Sequence, residues 1–112
     1  MARQRRFIDK DVYEESKNRI HHIFDTHDHV NVAFSGGKDS TAVLCLVKEV
    51  ANERGIDIVD CHHRDEEFNP APILDNIKYY FDQDWTNMTW YCIPRSSTMF
   101  VLGFNKEVIK WD

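Results

Sequence analysis

Hydrophobic and polar residues alternate along this chain in blocks that predict one helix followed by repeated strand and helix pairs. Residues 9–27 carry apolar side chains mostly at helical spacing, with Asp9 or Asp11 available to cap the first free amides. Residues 30–34 alternate valine and phenylalanine with smaller or polar residues, which predicts the first strand. The chain therefore begins with an amphipathic helix and then enters a sheet.

The best-defined predicted helix follows this strand. Its apolar residues recur at i, i+3, i+4 and i+7, and the pattern stops before Gly55, which suits a helix C-terminus. A second strand is predicted over residues 56–62, followed by the polar residues 63–67. The apolar stripe of the helix consists of Val43, Leu46, Val47 and Val50.

A third helix and a third strand complete the pattern. Asn69 is a suitable capping residue and Pro70 suits a first helical turn, so the helix is predicted over residues 70–83. Residues 89–93 are aromatic and β-branched, which predicts the strand. Residues 95–112 fit neither pattern clearly.

Alternation of strands with helices predicts an α/β fold. Consecutive strands joined by helices run parallel, and their crossovers are almost always right-handed. We therefore expect a parallel sheet with helices on both faces. A chain of 112 residues suits a single domain, residues 1–112, because separate cores usually need more residues.

Composition and charge exclude several classes of function. The hydrophobic share of 42% and the charged share of 29% are typical of a folded globular protein. The net charge of -5 argues against a general nucleic-acid or anionic-membrane binder, because such binding relies on lysine and arginine. No apolar run approaches the roughly 18 residues of a membrane-spanning helix. We expect no membrane partner, and DNA contact only through a partner protein.

The three cysteines form no recognisable framework. They lie far apart and include no C-x-x-C pair, so neither a disulfide scaffold nor an iron–sulfur or zinc site is expected. A reducing cytoplasm is the expected location, or the host cytoplasm if the chain is phage-encoded. Cys45 in the second helix and Cys92 in the third strand are predicted to be buried small hydrophobes.

Two adjacent glycines between the first strand and the second helix mark the candidate site. Gly36 and Gly37 allow a close approach of the backbone to a ligand, and the first amides of a helix attract phosphate groups. Lys38 adds a positive charge, and Asp39 offers an oxygen ligand for Mg²⁺. The alternative is a glycine turn with no ligand.

The expected nucleotide-binding residues extend on both sides of this pair. The hydroxyl groups of Ser35, Ser40 and Thr41 would add donors, and Ala33 and Phe34 lead into the loop from the strand. The spacing differs from the Walker loop, in which four residues separate the first glycine from the glycine–lysine pair. The segment 35–41 reads SGGKDST.

The sequence FSGGKDS after a hydrophobic strand resembles the PP-loop of the ATP pyrophosphatases, the adenine nucleotide α-hydrolase-like superfamily. The resemblance implies the Rossmann-like fold of that superfamily. It also implies Mg-ATP as ligand, with cleavage between the α and β phosphates and transfer of AMP to an acceptor. Lys38 and Asp39 would then be the catalytic residues, with Asp39 on Mg²⁺.

Later segments resemble the branch that includes phosphoadenosine phosphosulfate (PAPS) reductases, over residues 30–111. These segments are HRDEEF, WYCIP and a tryptophan, Trp111, near the end. The resemblance implies PAPS or adenylyl sulfate as an alternative ligand. His63, Asp65 and Glu67 would lie near the ribose, the adenine or the metal. His62 and His63 also stand at the end of the second strand, at the carboxyl edge of the sheet where such folds bind ligands, so one of them is a candidate nucleotide contact.

The chain departs from that branch in its cysteines and in its C-terminal part. It lacks the E-C-G-[LI]-H motif that carries the catalytic cysteine, which argues against sulfonucleotide reduction. The chain also ends near the point at which members of that branch usually continue with substrate-binding elements, so we expect a fragment, a minimal phage-type member, or one half of an oligomeric site. A non-catalytic nucleotide-binding module remains an alternative function. So does a sulfur-activation component of a nucleic-acid modification system, acting with a partner protein.

Overall fold

The computed structural model describes residues 4–67, 69–101 and 104–110. The chain divides into two compact units, Met1–Val30 and Asn31–Asp112, and each is described by itself. The single domain over residues 1–112 stays a prediction. Trp111 lies outside the described residues.

In the described residues of the first unit, 4–30, one helix, α1, spans Val12–Thr26. Of the two predicted caps, Asp11 is the one used, and its Oδ1 accepts a hydrogen bond of 2.7 Å from the Glu14 amide. No residue of α1 is buried, and the side chain of Val12 is 83% exposed. The predicted helix is confirmed, but its apolar stripe does not enter a core within this unit.

The second unit confirms the α/β prediction. Three parallel strands form a sheet in the order β1-β2-β3, and a helix connects each pair of strands. A separate antiparallel hairpin forms from the segment that the sequence left unassigned. The elements are β1 Asn31–Ala33, α2 Lys38–Glu53, β2 Val59–Arg64, α3 Ala71–Phe81, β3 Thr86–Tyr91, β4 Arg95–Val101 and β5 Phe104–Lys110.

The second strand is shifted from its predicted position at both ends. Residue 56 was expected to open it, but the Ile56 amide bonds to Ala51 O at 2.8 Å and so belongs to the end of α2. Strand pairing begins at Val59, whose amide donates to Trp85 O at 2.8 Å. At its other end β2 includes His63 and Arg64, which were predicted to belong to the polar stretch after the strand.

The third strand and the cap of α3 also differ from expectation. Strand β3 covers Thr86–Tyr91 rather than 89–93, because Thr86 pairs in register with the first residue of β2. Asn69 does not cap α3; Pro70 occupies the cap position, and no side chain of the described residues caps it.

The core lies on one face of the sheet. Alternate residues of β1 and β2 are buried there, whereas those between them are exposed or half-buried. In α2, Val43 is 48% exposed, so the predicted stripe is wrong at this position, and Leu44 is buried in its place. Residues of the core include Val32, Phe34, Leu44, Val47, Val50, Ala51, Val59, Cys61 and Ile77.

Helices α2 and α3 lie side by side on this buried face. The thiol of Cys45 on α2 is 3.5 Å from the hydroxyl of Tyr80 on α3. The ring of Tyr80 also packs edge-on against Phe34, which follows β1 and is buried, with 5.4 Å between centroids. These two helices cover one face only, so helices on both faces stay a prediction. Among the described residues, no helix is both long and apolar enough to cross a membrane.

Candidate functional site

The loop formed by residues 35–41, here called the glycine loop, leaves the end of β1 and enters α2. Gly36 has a φ of +86°, a conformation that side-chain-bearing residues rarely adopt. A Cβ added to Gly36 would lie 2.6 Å from Ile77 Cγ1 and 2.9 Å from Ile73 Cγ2. Glycine is therefore required at position 36 both by the backbone angle and by contact with α3.

Helix α3 also holds the glycine loop through a residue that the sequence analysis missed. Asn76 Nδ2 donates to Gly36 O at 3.0 Å and to Thr41 Oγ1 at 2.9 Å. The available signal was an asparagine directly before Ile77, within the apolar face of a helix. Such a residue usually bonds to a specific partner, because an unpaired amide is costly to bury.

The three hydroxyl groups of the glycine loop bond to the loop itself. Thr41 Oγ1 donates to Gly37 O at 2.7 Å, and Ser40 Oγ donates to the same carbonyl at 3.2 Å. Ser35 Oγ lies 2.9 Å from Ser40 Oγ and accepts from the Gly37 amide at 3.4 Å. These bonds shape the loop, so the protons of the hydroxyl groups are already engaged within it.

The start of α2 offers donors that the loop does not use. The first intrahelical bond runs from the Thr41 amide to Gly37 O at 3.0 Å, so the amides of residues 38–40 precede the helical pattern. Among the described residues, no side chain caps this end, in contrast to α1. Lys38 and Asp39 are exposed beside it. The result is a patch of unpaired amides and one ammonium group.

A cavity of about 490 Å³ opens beside the glycine loop at the carboxyl ends of the three strands. This volume lies within the range of small-molecule sites. Of residues 35–41, only Ser35 lines the cavity. Arg64, Glu66 and Ile93 also line it, although none of the three was predicted as a site residue. The lining residues are Ala33, Phe34, Ser35, His62, His63, Arg64, Glu66, Asn69, Tyr91 and Ile93.

His63 is the most deeply buried polar side chain of this cavity, at 2% exposed. Its Nδ1 lies 2.9 Å from Phe34 O, and its ring packs edge-on against Trp90 with 5.3 Å between centroids. A carbonyl oxygen only accepts, so Nδ1 carries a proton and donates it. The Nε2 atom is buried and has no hydrogen-bond partner among the described residues.

Asn69 supplies a second unpaired atom to the same cavity. Its Nδ2 is buried and likewise has no hydrogen-bond partner within the described part of the chain. Buried polar atoms without partners are uncommon in folded proteins and commonly mark a place for water, an ion or a ligand.

Asp65 accepts two hydrogen bonds that stabilise the turn after β2. Its Oδ2 accepts from Trp90 Nε1 at 2.9 Å, and its Oδ1 accepts from the Glu67 amide at 2.8 Å. Glu67 has a φ of 65°, which this second bond helps to hold. Asp65 is not among the described residues that line the cavity. A nucleotide or metal contact for Asp65 or Glu67 stays a prediction.

The cysteines differ from expectation. Cys45 and Cys92 are exposed, so their prediction as buried hydrophobes is wrong, and Cys61 is the buried one. Burial, with a smaller effect from the charge of Asp60, raises the pKa of the Cys61 thiol to about 11. The hydrogen bond between Cys45 and Tyr80, followed by burial, raises the pKa of the Tyr80 hydroxyl to about 12.

The described residues contain no group of three or more histidine, cysteine, aspartate or glutamate side chains placed to hold a metal ion. Asp39 is exposed at the start of α2, next to the free amides. A single carboxylate suits Mg²⁺ when phosphate oxygens and water complete its shell.

The structure brings part of the predicted site together. Ala33, Phe34, Ser35 and His63 line one cavity, and the remaining glycine-loop residues lead from it into α2. Comparison with models of protein families finds no match for this chain, and comparisons with curated proteins and with solved structures find none.

Proposed function

We propose that this chain binds an adenine nucleotide as a PP-loop protein of the PAPS reductase-like class. The phosphates lie against the amides of residues 38–40 and the ammonium group of Lys38, and the nucleoside occupies the adjoining cavity. The observation that carries the proposal is the uncapped start of α2 beneath Gly36 and Gly37. Free amides at the positive end of a helix dipole favour an anionic oxygen cluster.

The position of the loop in the sheet supports this function. Open parallel sheets bind ligands beyond the carboxyl ends of their strands, and both the loop and the cavity lie there. The Rossmann-like arrangement, with helices on both faces of the sheet, belongs to the same proposal. The exposed Asp39 would hold Mg²⁺ together with phosphate oxygens, which is the usual arrangement for that ion.

The proposed reaction is adenylyl transfer. An acceptor group attacks the α-phosphorus, the bond to the oxygen that bridges the α and β phosphates breaks, and pyrophosphate leaves with the electron pair. The chain's contribution is to orient the triphosphate along the start of α2. Lys38 and the loop amides stabilise the negative charge that grows on the departing group. Mg²⁺ would supply further neutralisation of the phosphate charge.

A binding module without chemistry is the second candidate. The internal hydrogen bonds of Ser35, Ser40 and Thr41 favour it, because they leave the loop amides and Lys38 as the ligand-binding groups. Adenylyl sulfates and sulfur activation for nucleic-acid modification belong to the same nucleotide-binding proposal, the latter with a partner protein.

Two measurements test the proposal on the full chain. Calorimetry with ATP, AMP and PAPS in Mg²⁺ buffer measures binding, and absence of binding at millimolar nucleotide contradicts the proposed function. Release of pyrophosphate from ATP, assayed with candidate acceptors, separates enzyme from module. Release of inorganic phosphate in place of pyrophosphate argues against cleavage between the α and β phosphates.

A further inference from the structure

Two unpaired polar atoms in the cavity have complementary hydrogen-bonding properties. His63 donates through Nδ1 to Phe34 O, so in the neutral ring Nε2 carries a lone pair and can only accept. Asn69 Nδ2 can only donate. Both atoms are buried, line the same cavity and lack a partner among the described residues. These two unpaired atoms therefore offer one acceptor and one donor to a ligand.

Each of these atoms is unfavourable to leave unpaired. A buried donor or acceptor without a partner costs about 1–3 kcal/mol relative to a satisfied one. A ligand that pairs both atoms recovers that free energy, whereas a ligand of opposite pattern places like groups against each other. The two atoms can therefore select among ligands of similar size and charge.

Adenine carries the matching pattern. Its exocyclic amino group is a donor, and this group is flanked by ring nitrogens that accept. Hypoxanthine and guanine have a carbonyl oxygen at the same position, and this oxygen would face the lone pair of His63 Nε2. Hypoxanthine otherwise has nearly the same shape as adenine, whereas guanine carries an additional amino group.

We propose that His63 Nε2 and Asn69 Nδ2 read the base of the bound nucleotide. His63 accepts a hydrogen bond from the amino group of adenine, and Asn69 donates one to the adjacent ring nitrogen N1, which accepts in adenine but carries a proton in 6-oxopurines. This assignment rests on the proposed function, and it makes both residues determinants of specificity for adenine over 6-oxopurines.

The wild-type chain provides the first test, by calorimetry with ATP, ITP and inorganic tripolyphosphate in Mg²⁺ buffer. ATP should bind about tenfold or more tightly than ITP, since one matched pair of hydrogen bonds discriminates bases by about 1–3 kcal/mol. Equal affinities for ATP and ITP overturn the base-reading role and leave the proposed function standing. Failure of all three ligands to bind overturns the proposed function and this inference with it.

Variants assign the discrimination to the two residues. His63→Leu and Asn69→Leu should each lower the affinity for ATP about tenfold and bring the ratio of ATP to ITP affinity towards 1. The same changes at exposed positions, His29→Leu and Asn52→Leu, should preserve the wild-type ratio.

Circular dichroism checks that each variant is folded. Asn69→Asp keeps the side-chain shape while removing the donor, so it provides a second test if a leucine variant is unstable. A wild-type ratio retained in folded His63 and Asn69 variants overturns the assignment.

Discussion

Asn76 Nδ2 lies 3.0 Å from Gly36 O and 2.9 Å from Thr41 Oγ1, so one side-chain amide on α3 ties the glycine loop to the first turn of α2. The partners Gly36 and Asn76 are 40 positions apart in the chain. The shape of the loop thus depends on the docking of α3 as well as on its own glycines.

Replacing Asn76 by alanine should destabilise the chain by about 1–2 kcal/mol, because two hydrogen bonds are lost and Gly36 O loses its partner. Urea unfolding followed by circular dichroism measures the change. Asn52→Ala, at an exposed position of α2, is the control and should cost less than about 0.5 kcal/mol. Equal effects at the two positions would show that the bonds of Asn76 contribute nothing.

The two glycines should respond differently to alanine. Gly36→Ala should cost about 2–5 kcal/mol, since the positive φ is unfavourable and the new Cβ overlaps Ile77. Gly37 has a φ of -79°, and its added Cβ would come no closer than 3.7 Å to Ser35 Oγ. Gly37→Ala should therefore cost less than about 1 kcal/mol.

Thermal and urea unfolding of both glycine variants check this contrast. A tolerated Gly36→Ala substitution would mean that the contact between the loop and Ile77 is looser than the structure indicates.

Lys38→Ala should weaken the binding of ATP about tenfold or more, because hydrogen bonds to charged groups contribute about 1.5–3 kcal/mol each. The side chain is exposed, so the unfolding midpoint should stay near that of wild type. Any release of pyrophosphate should be lost in this variant. Lys78→Ala, which removes an exposed lysine at the end of α3, should leave nucleotide affinity unchanged. Calorimetry on the two variants decides whether the effect belongs to position 38 or to net charge.

The three thiols should differ in reactivity towards an aromatic disulfide reagent at pH 8. Cys45 and Cys92 are exposed and should react quickly. Cys61 is buried with its pKa raised to about 11, so little of the reactive thiolate is present or accessible. Absorbance should show two fast thiols in the folded chain and three in denaturant. Fast labelling of a Cys45→Ala and Cys92→Ala double variant would contradict this burial.

The same thiol gives a pH dependence of stability. Its pKa rises from 9.0 to about 11 on folding, so the unfolded chain releases this proton more readily than the folded one. The contribution of Cys61 to the free energy of unfolding is fully present below pH 9 and is lost as the pH rises through about 11. The free energy of unfolding should fall across this window, and Cys61→Ala should reduce that fall.

The sequence predicted the elements well where a capping residue or a glycine marks the end of a helix. Asp11 opens α1 and Gly55 follows α2, because a capping carboxylate and a glycine with positive φ act on their immediate neighbours. The glycine loop was found for the same reason. The strand ends were shifted, because the register of β2 and β3 depends on partners distant in the chain. Asn76 escaped notice for a similar reason.

The burial of particular side chains also could not be predicted from the spacing of apolar residues along the sequence. His63 was expected in the polar stretch after the second strand, yet it continues β2 on the buried face and bonds to the carbonyl of Phe34. Leu44 rather than Val43 enters the core, since the direction in which α2 lies on the sheet decides between adjacent helical positions. These choices are made by packing, and spacing alone leaves them open.

The backbone of Gly36 rests directly on the side chains of Ile73 and Ile77, with no gap that a methyl group could fill. A substitution in the core at these positions therefore also changes the glycine loop, the proposed ligand-binding segment. A bulkier residue at position 77 would push on the turn, and a smaller one would remove its floor. Position 36 should consequently remain glycine among the relatives of this chain, and positions 73 and 77 should keep residues of similar combined volume.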